Sequence, residues 1–219
     1  MNEQKLFQIA IDGPSGAGKS TIAKTVAQKL GIDYIDTGAM YRALGLKMLR
    51  LGIPMREDER LAAMLADTDI DFSGGHVYLD GEDVSDRIRT QEISKAASDC
   101  SAFASVRKKL VELQQKMGRQ KSVIMDGRDI GTVVLKDAPY KFFLTASDEE
   151  RAMRRFRELQ AKGEPQTYEE VLEQIRQRDY NDTHRSVTPL RKAEDAMEID
   201  STVMSIDEVA AFICEQLKA

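Results

Sequence analysis

Hydrophobic positions along the chain fall into two textures, short apolar runs and stripes at helical spacing. Leu6-Phe7-Gln8-Ile9-Ala10-Ile11 is short, apolar and β-branched enough for a buried strand, and Ile22, Ala23, Val26, Ala27 and Leu30 then recur at helical spacing until Gly31 stops the run. Asp33-Tyr34-Ile35-Asp36 reads as a second strand. Thr37-Gly38-Ala39-Met40-Tyr41-Arg42 follows as a loop entering a helix that continues through Leu44, Met48 and Leu51 to a stop at Gly52 and Pro54. Strand, polar turn and helix thus occur twice in succession, and this alternation predicts a parallel α/β sheet.

The texture changes after a short helix over 56–66. Strand-like pieces over 69–72, His76–Leu79 and around Val84 are separated by Gly74-Gly75 and Asp80-Gly81-Glu82. Two hairpin signals in a row predict a small antiparallel insertion. Helical spacing returns over 91–102 and 106–117, and apolar strands follow over 122–127, 140–144 and 196–200. Ser147 with Glu150, Thr167 with Glu170 and Ser205 with Glu208 have capping-box spacing and mark three further helix starts. The last helix carries Ile206, Val209, Ala210, Ile213 and Leu217 on one stripe, which predicts docking on the core.

With 219 residues, the chain is long enough for one main domain with insertions. Its 42% hydrophobic and 32% charged residues are ordinary for a globular protein. A net charge of −5 argues against a nucleic-acid polymer or membrane surface as partner, so any anion must be met by local basic clusters. The polar start from Met1 to Lys5 and the lack of a bilayer-length apolar run predict a cytoplasmic protein. Cys100 and Cys214 have no paired spacing, and His76 and His184 are the only histidines. This argues against a Cys/His zinc site and for reduced packing cysteines.

Between the first strand and the first helix stands Gly13-Pro14-Ser15-Gly16-Ala17-Gly18-Lys19-Ser20, which fits the phosphate-binding pattern G-x-x-x-x-G-K-[ST] in its proper strand–loop–helix context. Glycines let successive N–H groups converge on one anion, and the helix N-terminus adds partial positive charge. Lys19 can reach the β and γ phosphates while the Ser20 hydroxyl ligates Mg²⁺. The later strand ends in Asp126, the Walker-B pattern, whose carboxylate sits near Mg²⁺ or its waters.

Arginines crowd the downstream half. Arg151, Arg154, Arg155 and Arg157 share one short helix, where like charges at i, i+3 and i+4 repel unless offset. Arg178, Asp182 and Arg185 are spaced to share a helical face, and Arg128-Asp129 follows the Walker-B aspartate at the strand end where open α/β sheets bind ligands. Arg42 and Arg107 complete the set. So many guanidinium forks exceed what ATP alone needs and point to an acceptor that is also a phosphate. Such an acceptor, with a second pKa near roughly 6, is already nucleophilic at neutral pH and needs no general base.

Five blocks carry a resemblance: 11–21 around the P-loop, Asp36-Thr37-Gly38-Ala39-Met40-Tyr41-Arg42, Arg89-Thr90-Gln91-Glu92, Asp126-Gly127-Arg128-Asp129-Ile130-Gly131-Thr132, and Arg178-Asp179. In these the chain resembles the bacterial cytidylate kinases, a branch of the nucleoside monophosphate kinases. The resemblance implies a single P-loop kinase domain over 1–219. Its expected fold is a central five-stranded parallel sheet flanked by helices, with a monophosphate-binding region over 37–107, an antiparallel β-containing insertion at about 67–100 and a short helical lid over 148–166. It implies ATP with Mg²⁺ as donor, CMP and dCMP as acceptors, and a monomer. Gly13, Pro14, Ser15, Gly16, Ala17, Gly18, Lys19, Ser20 and Thr21 would hold ATP, with Mg²⁺ on Ser20 and, through water, on Asp126. Thr37, Arg42, Arg128, Arg178, Asp182 and Arg185 fall where the family holds the acceptor's phosphate and sugar. Ser98, Arg107 and Asp129 fall where it reads cytosine, and Asp129 is a sensible acceptor for the 4-amino group. Lys19, Arg128, Arg178 and the lid arginines, Arg151 and Arg155 among them, would stabilise the transferring group. Two positions depart from the pattern: Thr37 stands where serine also occurs, and Phe103-Ala104-Ser105 lacks a proline that relatives often carry before Arg107. The competing reading is another small-metabolite P-loop kinase acting on UMP, AMP or shikimate. A GTP-binding switch is disfavoured because neither Asn2 nor Asn181 begins an Asn-Lys-x-Asp motif.

Overall fold

The computed structural model describes residues 6–217. In chain order its elements are β1 (Gln8–Asp12), α1 (Lys19–Leu30), β2 (Asp33–Asp36), α2 (Thr37–Arg50), α3 (Glu59–Ala66), β3 (Ile70–Ser73), β4 (His76–Leu79), β5 (Glu82–Asp83), α4 (Gln91–Cys100), α5 (Ala104–Gln120), β6 (Val123–Gly127), β7 (Tyr140–Thr145), α6 (Asp148–Ala161), α7 (Tyr168–His184), β8 (Met197–Asp200) and α8 (Ile206–Gln216). A 3₁₀ turn lies at Arg87–Arg89 and a π-helical turn at Ile130–Val134. The chain divides into two compact units, one from both ends of the sequence, up to Tyr34 and from Ser122 onward, the other Ile35–Lys121.

The expected parallel sheet is present in the order β2-β6-β1-β7-β8, and β6, β1, β7 and β8 lie wholly in the first unit. Ile11 of central β1 lies opposite Asp126 of β6 and Phe142 of β7, so the P-loop and the Walker-B aspartate leave neighbouring strand ends. Ile9, Ile11, Ile124, Phe142, Leu144 and Ile199 from the strands share a core with Ile22 and Val26 of α1 and Val209 and Ile213 of α8. Burying each such side chain contributes about 1.5–3 kcal/mol, which anchors the sheet that positions the site. A second small core of Ala152, Leu159, Val171 and Ile175 joins α6 and α7.

Thr167–Glu170 and Ser205–Glu208 form complete capping boxes. The third is only half formed: the Ser147 hydroxyl accepts the Glu150 N–H, but the Glu150 carboxylate accepts from Arg154 Nε at 3.1 Å and the Ser147 N–H goes to Thr202. Arginine competes for the carboxylate that the box requires.

In the second unit, α2 begins at Thr37 with no intervening loop, because the Asp36 carboxylate accepts the Ala39 N–H and caps the helix immediately. Helix α3 starts three residues later than its pattern implied, capped by Asp58, and α5 extends to Ala104 and Gln120 at its two ends. The antiparallel insertion is present as β3-β4-β5, its third strand lying at Glu82–Asp83 rather than at Val84. Helix α2 packs on α4 at Gly45, where a Cβ would meet the Ala97 nitrogen at 3.1 Å. Among the described residues no helix is long and apolar enough to cross a membrane.

Candidate active site

The P-loop turns sharply out of β1. Gly13 has φ 148°, and a Cβ there would stand 1.9 Å from the Leu144 carbonyl oxygen, so only glycine fits. Lys19 enters α1 almost fully buried, its ammonium donating to the Pro14 carbonyl at 2.6 Å. Burial, and then the neighbouring Arg128 charge, push its pKa down to about 7 against the pull of Asp126. The Ser20 hydroxyl donates to Asp126 Oδ2 at 2.9 Å, and the Tyr34 hydroxyl donates to Asp126 Oδ1 at 2.7 Å. A hydroxyl and a carboxylate at this separation are hard oxygen donors of the kind that would suit Mg²⁺. Among the described residues no group of three His, Cys, Asp or Glu side chains is placed to hold a metal ion.

Beside this loop the same unit gathers cations. Arg128 Nε donates to Asp182 Oδ2 at 2.8 Å, and both side chains are largely buried. Burial opposes both charges, but the pair overcomes it: Asp182 keeps Arg128 above its ordinary pKa, while Arg128 and Arg178 hold Asp182 below its own. Arg178 is exposed on α7 and close enough to depress Lys19 as well. Arg185 lies just beyond the end of α7, not on its face, yet its guanidinium is 3.5 Å from Asp182 and donates to the Thr188 carbonyl. Lys19, Arg128, Arg178, Asp182 and Arg185 therefore form one electrostatic cluster.

Asp129 is buried at the head of the π-helical turn. The turn's first N–H groups, from Ile130 and Gly131, donate to the two carboxylate oxygens of Asp12 at 2.8 and 2.7 Å. Burial outweighs these bonds and raises the Asp12 pKa to about 6.

The α6 arginines differ in their duties. Arg151 is buried: Nε donates to the Ala146 carbonyl, Nη1 to the Ser15 carbonyl at 2.8 Å and to Asp179, and Nη2 to Asp148. Asp179 also accepts the Ser15 N–H at 3.3 Å, so α6 and α7 jointly hold the P-loop at Ser15. Arg154 binds the Ser201 carbonyl at 2.7 Å, and Arg155 is exposed and paired with Glu158.

In the second unit Thr37 opens α2 and is buried, and Arg42 folds back onto Asp36 at 2.8 Å, an approach that Gly38 leaves open. Arg107 is buried with its guanidinium 5.7 Å from the Tyr41 ring centre, a cation–π arrangement. Ser98 is exposed on α4.

Residues 9–219 match the family model described as Cytidylate kinase. The chain belongs to the cytidylate kinase family. A cytidylate kinase of Caldicellulosiruptor saccharolyticus is 54% identical over 96% of this chain and 95% of its own. The corresponding protein of Clostridioides difficile is 50% identical over 95% of this chain and 97% of its own. Among solved structures, a shikimate kinase of Acinetobacter baumannii has a TM-score of 0.51 at 16% identity, over 98% of this chain and 94% of its own. A shikimate kinase of Bacteroides thetaiotaomicron has a TM-score of 0.50 at 14% identity, over 97% of this chain and 99% of its own. At that identity the likeness extends to the fold alone. As a member of the family, the chain is a nucleoside monophosphate kinase, a phosphotransferase.

Against this family pattern, the residues that sequence reasoning passed over are those that hold others in place. Asp12 and Asp179 stand inside the quoted family blocks without a role, and Tyr34 lies in a strand read only for its apolar pattern. Their partners lie 118, 164 and 92 residues away, so no local spacing could have exposed them.

Proposed function

We propose that the chain transfers the γ-phosphoryl group of ATP directly to CMP or dCMP, giving ADP with CDP or dCDP. The observation that carries this reading is the cluster of Lys19, Arg128 and Arg178 beside the P-loop, with Arg128 fixed by the largely buried Asp182. A P-loop needs one lysine for its own phosphates, and the added guanidiniums supply charge for a second anion. Family membership then favours a cytidine nucleotide as that anion's carrier.

In this reading 13–21 bind the ATP phosphates, with Ser20 holding Mg²⁺ directly and Asp126 through water. When bound, the metal neutralises charge on the β and γ oxygens. Lys19, Arg128 and Arg178 stabilise the charge that spreads over the phosphoryl group as it moves in line between oxygens. Arg155, exposed and joined to Glu158 by a pair worth under about 1 kcal/mol, exchanges that partner for the transferring group. Arg151 acts on the same group through the Ser15 loop that it holds. Thr37, Arg42, Arg128, Arg178, Asp182 and Arg185 bind the acceptor's phosphate and sugar, while Ser98, Arg107 and Asp129 read cytosine. The acceptor phosphate is ionised at neutral pH, so no general base is assigned. The lid, 148–166, closes over the donor and excludes water. The enzyme works as a cytoplasmic monomer on these small molecules, without a membrane or nucleic-acid polymer, and light scattering after size exclusion checks the monomer.

An ADP-release assay with CMP, dCMP, UMP, AMP, GMP and shikimate tests the assignment. CMP and dCMP should give the highest kcat/KM. Equal or greater turnover of a non-cytidine acceptor would overturn it.

A further inference from the structure

Asp12 occupies a position that the proposed chemistry does not use. It ends β1, immediately before the first glycine of the P-loop, and is 4% exposed. Its carboxylate reaches across to the π-helical turn and accepts two short backbone hydrogen bonds, from Ile130 and Gly131. The first N–H groups of any helical turn lack partners within the turn, and the residue at the cap ordinarily satisfies one with its own side chain. Here that residue is Asp129, a good capping type, yet its side chain does not cap the turn. The cap comes from β1 instead.

This substitution of one carboxylate for another is costly, because Asp12 is desolvated and also feels the charge of Asp129. Its effect is to relieve Asp129 of the capping role while fixing the backbone on which that side chain stands. Gly131 is part of the device. A Cβ there would come within 3.3 Å of Asp12 Oδ2 and 3.2 Å of Lys141 Cδ, so glycine permits the close approach of carboxylate and turn.

We propose that Asp12 is a positioning residue for base selection: by capping the Ile130–Val134 turn from β1 it holds Asp129 where a carboxylate accepts from the cytosine 4-amino group and repels the uracil 4-oxygen. The inference rests on the reading of Asp129 as the cytosine acceptor. It adds that the strictness of CMP over UMP is set from the strand that also carries the P-loop, through a residue that touches neither base.

The test measures kcat and KM for CMP, UMP and ATP in the full-length enzyme and in Asp129→Ala, Asp12→Asn and Gly131→Ala. Asp129→Ala should collapse the CMP/UMP ratio of kcat/KM. Asp12→Asn keeps only one acceptor oxygen, and Gly131→Ala pushes the turn away without removing any polar group. Each should lower the ratio about tenfold, the scale of one disturbed hydrogen bond to a charged group, through KM for CMP and with KM for ATP nearly unchanged. Gly131→Ala decides the matter should Asp12→Asn fail to fold. If Asp129→Ala collapses the ratio while both other variants keep it, the positioning role is wrong and the reading of Asp129 survives. An Asp12→Asn enzyme whose KM rises equally for ATP and CMP would also overturn the inference, since Asp12 would then support only the P-loop. Retention of the ratio in Asp129→Ala would overturn the underlying reading, and the inference with it.

Discussion

At the scale of single residues, Lys19 joins the greatest functional demand to a poor environment for its charge. Its ammonium is buried, donates to the Pro14 carbonyl and stands near Arg128, so the ligand-free fold gains little from keeping it protonated. In the proposed function its favourable partner is the phosphate that arrives with ATP. Lys19→Ala should therefore cost about 10²–10³-fold in kcat, as for removal of one preorganised donor to developing negative charge. It should leave the melting temperature at or above that of the parent protein. Steady-state kinetics and thermal unfolding on the same preparation check both halves. A variant that loses activity and melts far lower would mean that Lys19 is a structural residue.

Among the elements, α6 separates two kinds of arginine that its sequence leaves alike. Arg151 is 3% exposed and distributes its donors over Ala146, Ser15, Asp148 and Asp179, whereas Arg155 is exposed and pairs within its helix. Removing the buried partner leaves Asp179 and the Ser15 carbonyl short of donors, so Arg151→Ala should destabilise by about 3 kcal/mol and raise KM for ATP as the P-loop loosens. Arg155→Ala should change stability by less than about 1 kcal/mol, so a fall in kcat there reports chemistry alone. Denaturant titration alongside kinetics distinguishes them, and equal stability losses would refute the division. The sequence made the sheet legible because apolar runs such as Ile9 to Ile11 and Val123 to Met125 have few alternatives to a buried strand. It did not reveal the turn at Ile130–Val134, whose β-branched composition gives no local helical signal and whose first N–H groups are capped by Asp12. The early start of α2 was hidden for a related reason: Asp36, read as the end of a strand, is also a helix cap.

For the whole molecule, the P-loop, the Walker-B aspartate and the clustered arginines all lie in the unit built from the two chain ends, whereas Thr37, Arg42, Ser98 and Arg107 belong to 35–121. Motif spacing within each unit made these groups readable; which backbone groups hold them depended on tertiary register. Lys19, Ser20, Asp126, Ser15 and Arg151 all make bonds within their own unit. Arg42→Ala removes a partly exposed ion pair with Asp36 while the Asp36 cap on Ala39 remains, so the second unit should stay folded. With Arg42 in its proposed role, losing its charge-assisted contact to the acceptor's phosphate should raise KM for CMP about tenfold or more. Calorimetric titration with a non-hydrolysable ATP analogue should give a Kd near that of the parent enzyme. A comparable weakening of ATP binding would refute the assignment of Arg42 to the acceptor.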